Sequence, residues 1–159
     1  MLADHVHLPP ARALIRHYRP RHDGSLELLS EEEATNVITT AGRDFLHQQG
    51  YATSGLGTNG LNWIGLSDDA LTETSASTTL SNEIAASGLA RAQGTVAHTA
   101  GTNTTTIAKT FTATGTASCR KAALFTASSG GTMNHALGFT PKSLDSGDVL
   151  SVTFTITLG

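Results

Sequence analysis

The chain has 159 residues, room for one domain with a short appended segment. Only 14% of them are charged, against roughly 25% in an average soluble domain, and a formal net charge of −3 argues against a nucleic-acid-binding surface. The single cysteine, Cys119, excludes an intramolecular disulfide, and no stretch approaches the ~18 apolar residues of a membrane span.

Aromatic residues make up 5% of the chain and the 38% hydrophobic fraction leans on alanine, so the core is expected to be thin. A thin β core is commonly completed by association, which points to a homo-oligomer or to packing on a larger surface. The opening, MLADHVHLPP, has no basic stretch followed by an apolar one, so no signal peptide is read and synthesis in a cytoplasm is expected.

Residues 1–33 differ in composition from the rest. They hold Arg12, Arg16, Arg19 and Arg21, the histidines His5, His7, His17 and His22, and three of the four prolines. Pro9-Pro10 and Arg19-Pro20 block a long helix, and ARALIRHY between them has too little apolar surface to stand alone. An acidic run, Glu31–Glu33, ends the segment. It reads as an N-terminal arm whose four arginines contact an acidic partner surface. The four histidines have no Cys, Asp or Glu at a ligand spacing around them, so no metal and no cofactor are expected.

The domain proper then runs over residues 34–159. NVITTAGRDFLHQQG reads as its one short α-helix, with Thr39 or Thr40 as N-cap, Ala41, Phe45 and Leu46 as the apolar stripe and Gly50 at the C-terminal cap. The glycines of YATSGLGTNG follow a helix and precede a strand, the reverse of a dinucleotide-binding turn, so this is a loop. LNWIGLS is a strand carrying the only tryptophan, Trp63, and Asp68 to Asn82 is an acidic surface excursion. GLARAQGTVAH and TTTIAKTFTAT form a hairpin with Ile107 and Phe111 on its inner face. CRKAALFTA and TMNHALGF form a second hairpin around SSGG, and DSGD turns the chain into its closing strand.

That strand, LSVTFTITL, alternates strictly. Leu150, Val152, Phe154, Ile156 and Leu158 are large and apolar, while Ser151, Thr153, Thr155 and Thr157 carry small hydroxyls. Period-two alternation marks a half-buried strand. Short strands at near-regular spacing with Gly-rich turns give a mainly β fold, an antiparallel β-sandwich or jelly-roll-like domain.

Nothing in the pattern points to an enzyme. Asp68, Asp69, Glu73 and Glu83 could pair for acid–base work but fall in or beside a low-pattern loop, and DDALTETSAS lacks the alternating carboxylates of a calcium loop. His98 and His135 accompany no G-x-S-x-G elbow, and His135 reads as a core-edge histidine. Cys119 reads as a small strand residue, although Arg120 and Lys121 beside it could lower a thiol pKa.

The succession TTAGRDFL, WIGLSDDALTETSASTTLSNEIAASGLARAQGTVAHTAG, KAALFTASSGGTM and SGDVLSVTFTITL resembles small virion proteins of tailed bacteriophages, over about Thr39 to Gly159. Ala123 stands where that pattern has glycine before Leu-Phe. The resemblance implies a virion structural protein, above all a capsid decoration (cement) protein bound to the major capsid protein. Neck, collar or tail-fibre components are the alternative in the same particle, and a carbohydrate-binding receptor module is the alternative in another class. A virion location, neighbouring virion proteins as partners, and neither nucleic acid nor membrane as partner follow as expectations. A threonine-coated sheet face suits close packing beside identical copies, or it satisfies β-propensity on a solvent face.

Overall fold

The computed structural model describes residues 12–39, 42, 60–99, 102 and 104–157. Ten strands follow one another: β1 (Arg12–Pro20), β2 (Leu26–Thr35), β3 (Val37–Ile38), β4 (Trp63–Ser67), β5 (Ala92–Gln93), β6 (Thr95–His98), β7 (Thr104–Thr112), β8 (Ala117–Phe125), β9 (Met133–Leu144) and β10 (Val149–Thr157). They make two antiparallel five-stranded sheets. Sheet A has the order β2-β1-β10-β7-β6 and sheet B the order β3-β9-β8-β4-β5. The fold is mainly β, and no helix element is present among the described residues.

Of the stretch expected to be helical, residues 36–50, Val37–Ile38 instead form β3, and all but residues 36–39 and 42 lie outside the described residues. The cap itself is visible. Thr39 Oγ1 accepts the Gly42 N–H at 3.0 Å, the bond of an N-cap hydroxyl to the third residue beyond it, and donates to Met133 O at 2.7 Å.

The largest correction concerns the arm. Residues 12–33 are not an appendage: β1 and β2 form a hairpin, and β1 is inserted between β2 and the closing strand β10. A domain boundary at 33/34 would cut through β2. The local cause is period two: Ala13, Ile15 and His17 point inward, while Arg12 and Arg16 point outward. Ala13 and Ile15 are fully buried in the core that also holds Val152 and Phe154. The hairpin turns at Asp23-Gly24, where Gly24 has φ +81° and Asp23 Oδ1 accepts the Ser25 N–H at 2.9 Å.

The other hairpins form where the sequence places them. β6 pairs with β7, β8 with β9, and Ile107 and Phe111 are buried. In the closing strand Leu150, Val152 and Phe154 are fully buried, whereas Ser151, Thr153 and Thr155 are half-buried on the opposite face. One core is shared by both sheets, with Phe154 and Ile107 of sheet A against Leu124, Leu66 and Leu137 of sheet B.

Sheet B has a second buried face. Ala123, Phe125, Met133 and Ala136 point away from the shared core, yet Leu80 and Trp63 cover them. Ala123 and Ala136 leave room for the covering segment, while Phe125 and Met133 supply its apolar contact. A Cβ placed on Gly65 would come within 2.7 Å of Glu83 Oε1 and 2.9 Å of the Phe125 ring.

Candidate functional site

Charged side chains collect in three clusters, and each is positioned by the pairing of strands. The first contains the four arginines read as partner contacts. Antiparallel pairing sets Arg16 opposite Glu31, and Arg16 Nε donates to its carboxylate at 2.7 Å. Arg12 reaches Glu33 at 3.4 Å, and Arg21 reaches Glu27 at 3.3 Å. These three pairs are exposed, so solvent screens them and they add little to stability. Arg19 instead forks onto Asp148, donating from Nε and Nη2 at 3.1 Å each, and reaches Asp145 at 3.2 Å. All four arginines are thus matched by carboxylates of their own chain, which is a different use from the partner contact expected of them.

Asp148 is almost fully buried and has several donors. Besides Arg19 it receives the Asp145 N–H at 3.1 Å and lies 3.1 Å from His17 Nε2. The Arg19 guanidinium holds its carboxyl down to about 2, against the upward push of burial, with the Asp145 N–H and His17 adding to the effect. Asp148 ties the end of β1 to the turn before β10. His17 is therefore a structural partner. His22 is exposed in the hairpin turn, and His5 and His7 lie outside the described residues.

The second cluster joins two stretches on which the phage resemblance rests. Arg91, from GLARA, donates from Nε to Glu83 of SNEI at 2.6 Å, and its Nη2 pairs with the same carboxylate. Its guanidinium lies 3.4 Å from the Phe125 ring centroid. Arg91 Nη1 also donates to Ala127 O at 3.1 Å and Gly130 O at 2.7 Å, fastening the SSGG turn. A planar fork on a carboxylate, a ring face and two carbonyls is a use that lysine could not reproduce.

The third cluster gathers part of the acidic excursion onto β8. Lys121 is buried, and its Nζ donates to Glu73 at 2.8 Å and to Asp69 at 3.4 Å. The expected solvated acidic loop is therefore tied down at these two positions, while Asp68 remains exposed. Asp69 is held below the usual carboxylate range, first by the Leu71 N–H and then, against burial, by Lys121. Nearby, Glu32 of β2 crosses to β9, accepting the Thr140 N–H and Lys142 Nζ at 3.0 Å each. The paired carboxylates considered for acid–base chemistry thus go to different cations: Asp69 and Glu73 to Lys121, Glu83 to Arg91.

Two isolated groups complete the set. Cys119 is fully buried, and burial pushes its thiol up to about 12, so the neighbouring Arg120 and Lys121 do not activate it. His135 pairs across the sheet with Leu124 and Ile38, and neither ring nitrogen has a hydrogen-bond partner among the described residues. Burial lowers its pKa to about 4, so the ring is neutral near pH 7. Among the described residues no group of three or more His, Cys, Asp or Glu is placed to hold a metal.

No family model matches the chain, and no curated protein or solved structure matches it.

Proposed function

We propose that this chain is a structural protein of a tailed-phage virion, a capsid decoration (cement) protein that binds the major capsid protein, and that its two sheets form a β-sandwich. The observation that carries this reading is the outer face of sheet A. Around Thr153 the cross-strand row runs Glu33, Leu14, Thr153, Ala108 and Thr95, and the next row holds Arg12, Thr155 and Thr106. Away from the β1–β2 edge this face is small, neutral and rich in hydroxyls. It can meet a neighbouring surface closely, without long charged side chains to immobilise or desolvate. The Arg91 cluster adds support, because the stretches that carry the resemblance meet there in a knot that holds turns together.

The attachment surface is then the β10–β7 face, since the N-terminal strands are occupied in sheet A. Thr153→Glu places a charge in the middle of that face without touching the core. The variant is expected to keep the β-rich circular dichroism spectrum and to bind undecorated capsids at least about tenfold more weakly, a loss of roughly 1.4 kcal/mol. Undiminished decoration by a folded variant would refute this face as the contact. A count of a few copies per virion, rather than hundreds, would move the protein to the neck, collar or tail.

A further inference from the structure

A cavity of about 510 Å³ opens where the 69–73 segment lies beside the β8–β9 pairing. The register shifts there: Cys119 faces Lys142 and Lys121 faces Gly138, so the single residue Arg120 lies opposite three residues of β9, Phe139 to Pro141, which bulge. The Arg120 side chain lines the cavity, and its Nε is buried with no partner among the described residues. The other described arginines all donate to carboxylates of the chain.

The carboxylates on the cavity wall are already engaged. Glu32 holds Lys142 and the Thr140 N–H, Asp69 holds Lys121 and the Leu71 N–H, and Glu73 holds Lys121. None of them reaches Arg120, which leaves its buried Nε without an acceptor among the described residues. We propose that this cavity is a carboxylate-binding site in which the Arg120 guanidinium is the recognising group.

The chemistry selects among anions. The wall carries three carboxylates, Lys121 and Arg120, and Lys142, behind the wall, offsets Glu32, which leaves the site near neutrality. A single negative charge on a planar two-oxygen group matches the guanidinium fork. A dianion such as phosphate would carry its second charge against the wall carboxylates. The shape selects as well. Gly138 lies on the cavity wall, and a Cβ added there would meet nothing nearer than Arg120 O at 3.8 Å. Val37, Leu71 and Phe139 supply apolar wall for a short aliphatic stem. The carboxylate is therefore that of a small aliphatic acid or of a glutamate side chain on a neighbouring protein.

The test is a titration of the full chain followed by amide NMR shifts, at constant ionic strength. Sodium butyrate, butyramide, inorganic phosphate and the blocked glutamate N-acetyl-glutamyl-N-methylamide are the probes. Butyrate is expected to shift the Leu71 and Gly138 amides saturably, with a dissociation constant of roughly 1–10 mM. Butyramide and phosphate should not. Arg120→Gln should weaken butyrate at least about tenfold, and Arg120→Lys should recover only part of the loss. Gly138→Val, which fills the space and keeps the guanidinium, should abolish binding. Tighter binding of the blocked glutamate than of butyrate identifies a protein side chain as the natural source, and the reverse identifies a free acid. No saturable shift, an equal response to butyramide, or unchanged binding in Arg120→Gln would overturn the assignment.

Discussion

Along β10 burial alternates residue by residue, whereas along β8 every side chain from Lys121 to Phe125 is buried. The two strands belong to sheets that solve the same problem differently. Sheet A turns one face to the shared core and coats the other with Ser151, Thr153 and Thr155, half-buried by their own neighbours. Sheet B is covered by its own chain: Leu80 packs on Ala123 and Ala136, and Arg91 lies over Phe125. A sheet roofed by its own loops carries apolar outward residues such as Ala123, Phe125 and Met133, and one that meets a partner or solvent needs compact polar ones. Among the described residues, the sheet face without such a cover is therefore the outer face of sheet A.

Substitutions in the core of sheet A test this difference most strongly. Phe154 is fully buried at the centre of the sheet, so Phe154→Ala is expected to cost about 3–5 kcal/mol in chemical denaturation. A loss below about 1 kcal/mol would mean that sheet A does not depend on the shared core.

The visible alternation of β10 is why its role could be read from the sequence. Hydrophobicity follows the period of the strand, and the turn DSGD marks where it begins. The inward set of β1 was harder to see. Ala13 is small, His17 is polar, and Leu14 on the outward side blurs the period. A signal was nevertheless present, because Arg12, Arg16 and Arg21 face Glu33, Glu31 and Glu27 nearly symmetrically about Asp23-Gly24, as a salt-bridged hairpin would. The Arg91 and Lys121 clusters leave no comparable trace. Their partners are joined by loops of irregular length, and the β9 bulge opposite Arg120 depends on sheet register, which no single segment encodes.

Acid separates the two sheets by pH window. In sheet B the folded state holds His135 neutral with a pKa of about 4, against 6.5 when exposed. The unfolded chain takes up the proton first, so His135 favours the fold fully above pH 6.5, and this contribution of about 3 kcal/mol is lost as pH falls to 4. In sheet A the folded pKa of Asp148 is about 2 against 3.8, so its contribution of about 2 kcal/mol is present above pH 3.8 and lost between there and pH 2. Urea denaturation across pH should show both declines. His135→Leu should flatten the upper one and Asp148→Asn the lower one. If each variant kept the full wild-type pH dependence, the two sheets would not be the sites of acid sensitivity.

The smallest expected effects compare outward positions directly. Thr155 on sheet A and Gly65 on sheet B both point away from the shared core. Thr155 is half-buried beside Arg12 and Thr106, and its replacement by alanine removes only a methyl and a hydroxyl from the outer face of sheet A. Thr155→Ala should therefore change stability by no more than about 0.5 kcal/mol, as surface substitutions do. Gly65→Ala adds a single methyl, but it must displace Glu83 and the Phe125 ring, so about 1–3 kcal/mol is expected. Part of that cost arises because moving Glu83 disturbs Arg91 and, through it, the SSGG turn. A double-mutant cycle of Gly65→Ala with Glu83→Gln should show coupling above about 0.5 kcal/mol, because the residues are in contact. Thr155→Ala should add independently to either. If Thr155→Ala proved as costly as Gly65→Ala, the outer face of sheet A would be buried within the protein's own assembly, and identical copies rather than a shell protein would be its partner.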